Sequence, residues 1–208
     1  MKCKICDKRP PRRHCPGVQG DICSICCGNE REVTIDCPLT CPYLIEARAR
    51  EKRVPVNRDL IPNGDISLTE SFLLAHKELA VYVAYALNQS IVKTGGAVDA
   101  DVREALDGLT RTYRTLDAGL YHESRPISPY AAGIYDRVQE DIAEYRKEIR
   151  ASGPLRDAEI LGMLVVQQRF AHACQNGRLK GRAYIDFLRQ QFEQLDEEME
   201  ANSPLIVL

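Results

Sequence analysis

Eight of the nine cysteines in this 208-residue chain lie between residues 3 and 41. They follow the order C-x2-C, one isolated cysteine, C-x2-C-C and C-x3-C, at Cys3, Cys6, Cys15, Cys23, Cys26, Cys27, Cys37 and Cys41. A close pair lets one tight turn present two sulfur atoms, and zinc prefers four nitrogen or sulfur ligands in a tetrahedron. Eight cysteines suffice for two such sites, so the sequence predicts that all eight bind metal and that the cofactor is Zn²⁺, two ions per chain.

The segment around these cysteines has few side chains with which to form a core. Its apolar residues are Ile5, Val18, Ile22, Ile25, Val33 and Ile35. A stretch shorter than about 50 residues buries too little apolar surface to fold alone, and a bound metal is a common substitute for a core. We therefore expect the folding of this segment to depend on its metal.

The pairing that we favour interleaves two sets of four cysteines. The first set is Cys3, Cys6, Cys23 and Cys26, and the second is Cys15, Cys27, Cys37 and Cys41. Adjacent Cys26 and Cys27 then serve different metals, because neighbouring side chains in extended backbone point to opposite sides. His14 is an alternative ligand of the second site; its other interpretation is an exposed side chain.

Other chemistries of cysteine are alternatives to structural zinc. An iron–sulfur cluster is also held by four cysteines, but the ferredoxin-type run C-x2-C-x2-C-x3-C-P is absent. The vicinal pair Cys26-Cys27 leaves open a redox switch, in which oxidation of zinc-bound thiolates releases the metal. Catalytic zinc is disfavoured, because four cysteines per ion leave no open coordination position.

At these residues the chain resembles the small cross-brace and treble-clef fingers, such as the HIT and MYND types, which also carry ordered cysteine pairs. The run CPLTCPYL before a helical domain also resembles uncharacterised bacterial zinc-binding proteins. Cys15 lacks an x2 partner and no terminal histidine is present, so the pattern departs from those fingers. The resemblance covers about 50 residues and implies a protein-interaction or assembly module, with no activity attached.

The remaining sequence predicts a mainly α protein, in which a five-helix up-and-down bundle follows a small irregular zinc-binding module. We assign residues 1–53 to the module, with a short helix over 42–53 that begins at Pro42. Residues 54–66 contain Pro55, Pro62 and Asn63-Gly64 and are predicted to be a linker. The bundle is assigned to residues 67–200 and an apolar tail to 201–208.

Five stretches with apolar residues at helical spacing make up the predicted bundle. The first begins with a capping box at Ser67 and Glu70, and the second begins near Asp101 with Glu104 in the reciprocal position. The third begins at Ser128-Pro129. The fourth, 155–176, is apolar on all sides and is predicted to be central, and the fifth covers 181–200.

The charge of the chain is uneven. Residues 1–60 carry 12 Lys or Arg and 8 Asp or Glu, whereas the rest carries 16 and 22. The basic residues beside the cysteines are Lys2, Lys4, Lys8, Arg9, Arg12, Arg13, Arg48, Arg50, Lys52 and Arg53. They are suited to phosphate contacts, but metal-bound thiolates offset their charge and Tyr43 is the one nearby aromatic residue. A solvated basic face is the simpler interpretation.

Three residues of the bundle are further candidates. His76 and His172 leave open a site across the bundle, but the Glu-x-x-His motif of di-metal bundles is absent, so hydrogen-bonded histidines are the simpler interpretation. Cys174 is expected to be a small core residue. No phosphate-binding glycine loop, nucleophile elbow or catalytic triad is found.

The leading hypothesis is a non-enzymatic adaptor, in which a zinc finger is fused to an all-α bundle and the partner is another protein. A nucleic-acid-binding regulator that uses the basic finger is one alternative, and an enzyme with a site inside the bundle is another. Dimerisation of the chain stays open. The N-terminus has no apolar signal run and no stretch approaches the roughly 18 apolar residues of a membrane span, so we expect a cytoplasmic protein without membrane association.

Overall fold

A computed structural model describes residues 1–51, 61–149 and 153–202, with side chains described only up to Glu193 within the last helix. The predicted mainly α class is confirmed. The described residues form two short strands and eight helices: β1 (Arg13–Cys15), β2 (Gly20–Ile22), α1 (Ser24–Glu30), α2 (Pro42–Arg50), α3 (Glu70–Ala75), α4 (Lys77–Thr94), α5 (Asp99–Asp117), α6 (Pro129–Glu148), α7 (Asp157–Ala173) and α8 (Ala183–Asn202).

The cysteine module consists of a hairpin and two short helices. β1 and β2 are antiparallel, with Arg13 opposite Ile22. Helix α1 was not predicted, and it changes the reason for separating Cys26 from Cys27: both lie in a helix rather than in extended backbone. Successive helical residues point in directions about 100° apart, so the two sulfurs still face different sites. Helix α2 begins at Pro42, as predicted, with Cys41 as its N-cap residue.

The first predicted bundle helix is two helices in the structure. α3 ends and α4 begins at His76, whose φ of −117° and ψ of 26° leave the helical region. The N-cap of α3 is Thr69 rather than Ser67, and its side chain accepts the backbone N–H of Phe72 at 3.2 Å. The apolar period continues across this break, so spacing alone did not reveal it.

Acidic side chains near the start of α5 bind both their own helix and the start of α6. Asp101 accepts the backbone N–H of Val98 at 3.0 Å and so caps its own helix. Glu104 was predicted to cap α5, and this prediction is wrong: its side chain accepts the N–H groups of Ile127 at 3.1 Å and Ser128 at 3.3 Å instead. Oγ of Ser128 also donates to Oδ1 of Asp101 at 2.8 Å, so two acidic residues of α5 fix where α6 begins.

Helices that are second neighbours in the sequence pack most closely. α5 packs on α7 and α4 on α6, with further packing of α5 on α6. The up-and-down order, in which sequence neighbours are the main partners, is not confirmed by this pattern. Residues 160–165 of α7 are all buried, which agrees with the central position predicted for this helix.

The end of the predicted linker is bound to the bundle. Arg169 donates to the carbonyl oxygens of Pro62, Asn63 and Ile66, at 3.2, 2.7 and 2.8 Å. Residues 52–53 of the predicted module, residues 54–60 of the predicted linker and residues 203–208 of the predicted tail lie outside the described residues, so the domain boundaries stay predictions. Among the described residues no helix has the length and apolar character needed to cross a membrane.

Candidate metal centre

Four cysteines converge at one end of the module. The sulfur atoms of Cys3, Cys6, Cys23 and Cys26 all lie within 4.8 Å of one another, close enough to bind a metal ion. This is the first set of the interleaved pairing. All eight cysteines of the module are free of disulfide bonds, so their sulfurs are available as ligands.

Two tight turns deliver these four sulfurs. In the first, the carbonyl oxygen of Cys3 accepts the N–H of Asp7, and the N–H of Cys3 donates to Arg9, both at 2.9 Å. Asp7 has a φ of 52°, which permits the chain to reverse after Cys6. In the second, Cys23 is the N-cap of α1, and its sulfur accepts the N–H of Cys26 at 3.4 Å. Each C-x2-C pair thus occupies one turn with its sulfurs on the inner side.

The protonation of these thiols is uneven. Burial raises the pKa of Cys3, but backbone hydrogen bonds, chiefly from Cys6 and Cys23, outweigh it and lower the pKa to about 6. The N–H of Cys26 lowers the pKa of Cys23. Burial, and then hydrogen bonds to the neighbouring sulfurs, raise the pKa of Cys26 to about 12. The backbone therefore favours thiolates here while the sulfurs oppose one another, and a central cation removes that opposition.

The second set of cysteines lies around a separate small cavity. Cys15, Cys27, Cys37 and Cys41 line it together with side chains that include Arg13 and Arg31. All four cysteines are at least nine-tenths buried. Within the described chain, the mutual approach within 4.8 Å is reached by the first set alone. The structure thus brings the second set to one place without the same closeness.

Two guanidinium groups converge on Cys27. Its sulfur accepts from Nη1 of Arg13 at 3.6 Å and from Nη2 of Arg31 at 3.8 Å. The Nε–H groups of both arginines are buried and have no hydrogen-bond partner in the structure. Arg13 also stacks on Tyr43, with Cζ 4.2 Å from the ring centroid. Two half-buried guanidinium groups therefore lie within hydrogen-bond distance of the Cys27 sulfur.

A close backbone contact brings Cys15 towards Cys37. A Cβ at Gly17 would lie 2.5 Å from the carbonyl oxygen of Asp36 and 2.7 Å from Cγ2 of Ile35, so this approach needs glycine. The hairpin with Cys15 therefore rests directly on the chain that leads to Cys37. Burial raises the pKa of Cys37, and negative charge at Cys15 adds to this rise.

His14 is among the residues that line the cavity of the second set, but its imidazole is paired across the hairpin. Its Nδ1 lies 3.2 Å from Oδ1 of Asp21 across the hairpin, and its side chain is 69% exposed. This position matches the interpretation of His14 as an exposed residue.

The candidate residues of the bundle lie apart from one another. Nδ1 of His76 donates a hydrogen bond to the carbonyl oxygen of Phe72 at 2.8 Å, and its Nε2 lies 3.5 Å from Oε1 of Glu159. His172 is 13 residues beyond Glu159 on α7, which places the two histidines on the order of 20 Å apart. They do not form a common site. Cys174 ends α7 and packs against the bundle core, as expected of a small core residue.

The contact between the module and the bundle was not predicted from the sequence. Glu32, between two ligand candidates, is 1% exposed and binds Arg48 of α2, which in turn binds Asp186 of α8. No local pattern marks Glu32 as buried, because its burial arises only when residues from α7 onwards pack against it. Comparison of the chain with protein-family models, with curated proteins and with solved structures finds no match.

Proposed function

We propose that the module holds two zinc ions, each bound by one set of four cysteines. The observation that carries this proposal is the convergence of Cys3, Cys6, Cys23 and Cys26 within 4.8 Å. Four thiolates bound to zinc at about 2.3 Å are held about 3.8 Å apart in a tetrahedron, so a small contraction suffices. Such sites are structural and not catalytic, because four sulfurs complete the coordination shell of the zinc ion.

The proposal of a second ion rests on the residues around the second set of cysteines. The buried set around Cys27 has two guanidinium groups beside it, which stabilise negative sulfur. A neutral cluster of thiols would leave these two half-buried cations without a counter-charge, which is unfavourable. Zinc with four thiolates carries a net charge of about −2 and fits this environment. Eight reduced cysteines also suit the cytoplasm, where we place the protein.

Elemental analysis of protein purified without added metal tests this assignment. We expect two zinc ions per chain and little iron. Cys3→Ser and Cys37→Ser should each reduce the content to about one, because each breaks a different site. Cobalt substitution should give the thiolate-to-metal absorption of tetrahedral sulfur sites. A brown chromophore with stoichiometric iron would contradict the assignment to zinc.

We further propose that the protein is a non-enzymatic adaptor that binds another protein through the module. Both metal-binding turns carry an isoleucine just before their second cysteine, and Ile5 and Ile25 are 38% and 50% exposed. Ile45 of α2 is 53% exposed. Side chains that project from rigid, metal-bound turns bind partners at a low entropic cost.

The basic residues of the module favour a protein partner over nucleic acid. Arg13 lies against Cys27, and Arg48 is bound within the protein between two carboxylates. Lys4 donates to the carbonyl oxygens of Val18 and Gln19, at 3.0 and 3.1 Å. These cations serve internal contacts, which reduces the charge available for phosphates.

Affinity capture from the native cell tests the adaptor proposal when paired with surface variants. We expect a partner retained by the wild type to be lost with the double variant Ile5→Ser and Ile25→Ser. Ile127→Ser is the matched control, because Ile127 is 95% exposed on the loop before α6. A partner lost equally with the control, or retained by all three proteins, would contradict binding through the module.

A further inference from the structure

A buried ion network joins the module to α8. Glu32 accepts from Nη2 of Arg48 at 2.5 Å, from Nδ2 of Asn176 at 3.0 Å and from the backbone N–H of Arg182 at 3.1 Å. Nη1 of Arg48 donates to Oδ2 of Asp186 at 2.6 Å. The two carboxylates share one guanidinium, and a buried charge that loses such a partner is strongly destabilising.

Backbone contacts extend this junction along the loop between α7 and α8. Nη1 of Arg178 donates to the carbonyl oxygen of Arg31 at 2.6 Å. The N–H of Lys180 donates to the carbonyl oxygen of Glu32 at 2.7 Å, and its Nζ donates to Thr34 at 3.0 Å. The loop therefore lies directly along residues 31–34.

Arg182 ties the same segment to the bundle from another side. Its Nη1 contacts Oδ1 of Asp36 at 2.5 Å and the carbonyl oxygen of Cys37 at 3.5 Å. Its Nε donates to the carbonyl oxygen of Ala97, before α5, at 3.0 Å. Leu39 adds an apolar contact, because it packs against both the module core and the bundle core.

The module residues that bind the bundle, called docking residues below, share a position relative to the second set of cysteines. Residues 31–36 lie between Cys27 and Cys37, and Leu39 lies between Cys37 and Cys41. Arg48 is on α2, which starts directly after Cys41. Residues 31–36 and Leu39 thus have a cysteine of the second set on either side in the sequence, and α2 has one at its start. The docking contacts described above involve no residue of the two turns that form the first site.

We infer that the two metal sites have different roles: the second site controls the docking of the module on α8, and the first site does not. This inference rests on the proposal that the second set binds metal. Metal at Cys15, Cys27, Cys37 and Cys41 fixes the ends of residues 31–36 and the start of α2. Glu32 and Arg48 then meet at the positions that Asn176 and Asp186 require. Loss of this metal releases the docking residues, whereas loss of the first metal loosens only the two turns.

Two matched serine variants separate these roles in the full-length protein. Cys15→Ser removes a ligand of the second site from the hairpin, which makes none of the docking contacts described above. Cys6→Ser removes a ligand of the first site and is the control. The readouts are metal content and the amide hydrogen exchange of Lys180 and Arg182, whose N–H groups bind Glu32. Amides in the middle of α5 and α7 report on the bundle core.

We expect each variant to lose one metal ion. In Cys15→Ser the exchange of the Lys180 and Arg182 amides should rise roughly tenfold or more, while the α5 and α7 amides stay protected. In Cys6→Ser the same two amides should stay protected. An equal rise in the exchange of these two amides in both variants overturns the inference. Unchanged protection of the two amides after Cys15→Ser has lost its metal also overturns it. A wild-type protein with one metal ion or none overturns the two-zinc proposal instead.

Glu32→Gln provides a test that does not disturb a metal ligand. The variant keeps the shape of the side chain but removes the charge that Arg48 binds. We expect both metal ions to remain and the exchange of the Lys180 and Arg182 amides to rise. Unchanged exchange in this variant overturns the role of the Glu32 network in docking, and it does so independently of whether Cys15→Ser folds.

Discussion

The ring of Phe72, on α3, lies directly over Gly162 on α7. A Cβ at Gly162 would be 2.6 Å from Cζ and 2.7 Å from Cε1 of that ring. The absence of a side chain at this position lets α3 pack against the most buried helix of the bundle.

Gly162→Ala should therefore destabilise the protein, although alanine is the better helix former. The ring must shift to make room, and overpacking of this kind costs about 1–3 kcal/mol. Urea unfolding measures the change. Gly133→Ala on α6 is the control: its Cβ would meet Thr94 at 3.6 Å, an ordinary contact, so this variant should be neutral or more stable. Equal effects of the two variants would show that the Phe72 ring does not limit the size of the side chain at residue 162.

Arg48→Ala should be among the most destabilising single changes in the module. It removes the guanidinium that pairs with buried Glu32, which costs about 3–5 kcal/mol, and leaves Asp186 with Arg189 as its cation at 3.2 Å. Arg50→Ala, on the same helix, removes an exposed pair with Glu46 and should cost about 0.5 kcal/mol or less. Thermal unfolding of both variants at equal metal content makes the comparison. A small effect of Arg48→Ala would indicate that water replaces the guanidinium.

Asp99 should make stability depend on pH. Burial raises its pKa to about 6, and the N–H groups of Tyr184 and Ile185 offset this only in part. Because the pKa in the folded protein lies above the ordinary value near 3.8, its stability contribution is complete below about pH 4 and is lost as the pH rises through about 6.

Asp99→Asn keeps an oxygen acceptor and removes this titration. Between about pH 7.5 and pH 5.5, the unfolding free energy of the wild type should rise by roughly 1 kcal/mol relative to the variant. Denaturant unfolding at both pH values gives the difference, in which the effects of pH on metal binding cancel. Parallel pH profiles of the two proteins would show that Asp99 ionises normally.

Removal of the metal should unfold the module and leave most of the helical signal. The helices of the module, α1 and α2, have only seven and nine residues, whereas the bundle has a core of its own. Circular dichroism with and without a strong chelator, combined with limited proteolysis, measures this. Loss of the docking contacts should also lower the melting temperature of the bundle. A single cooperative loss of all helix on chelation would show that the two parts share one folding unit.

Binding to DNA or RNA should be weak and sensitive to salt. Arg12 and Lys8 are exposed, but under the two-zinc proposal metal-bound thiolates offset the charge of the module, and the rest of the chain is acidic. Fluorescence anisotropy with labelled oligonucleotides, at low and physiological salt, measures the affinity. Sub-micromolar binding at physiological salt that is lost in the double variant Arg12→Ala and Lys8→Ala would favour the regulator over the adaptor.

Features set by neighbouring residues were the ones that sequence could predict. The cysteine spacing predicted the grouping of Cys3, Cys6, Cys23 and Cys26, because each close pair is made by one turn. Proline in the first turn predicted the start of α2, and the pair Ser128-Pro129 predicted the start of α6. The short helix α1 was missed, because seven residues that contain two ligand candidates carry little helical periodicity.

Features set by distant residues could not be predicted in this way. Whether α5 packs on α6 or on α7 depends on how whole helix faces match, and apolar spacing defines a face without naming its partner. The burial of Glu32 depends likewise on residues of α7, α8 and their connecting loop. An acidic residue in a charged segment is otherwise expected to be exposed.

The hydrogen bond between Asn176 and Glu32 joins residues 144 positions apart in the sequence. During synthesis the cysteine module leaves the ribosome long before the loop that covers Glu32 exists. Under the two-zinc proposal, bound metal keeps the module folded during this interval, and the carboxylate of Glu32 stays in water until α7 and α8 have formed. Such a contact of high sequence separation forms late and slowly. We therefore expect docking of the module to be the last step of folding.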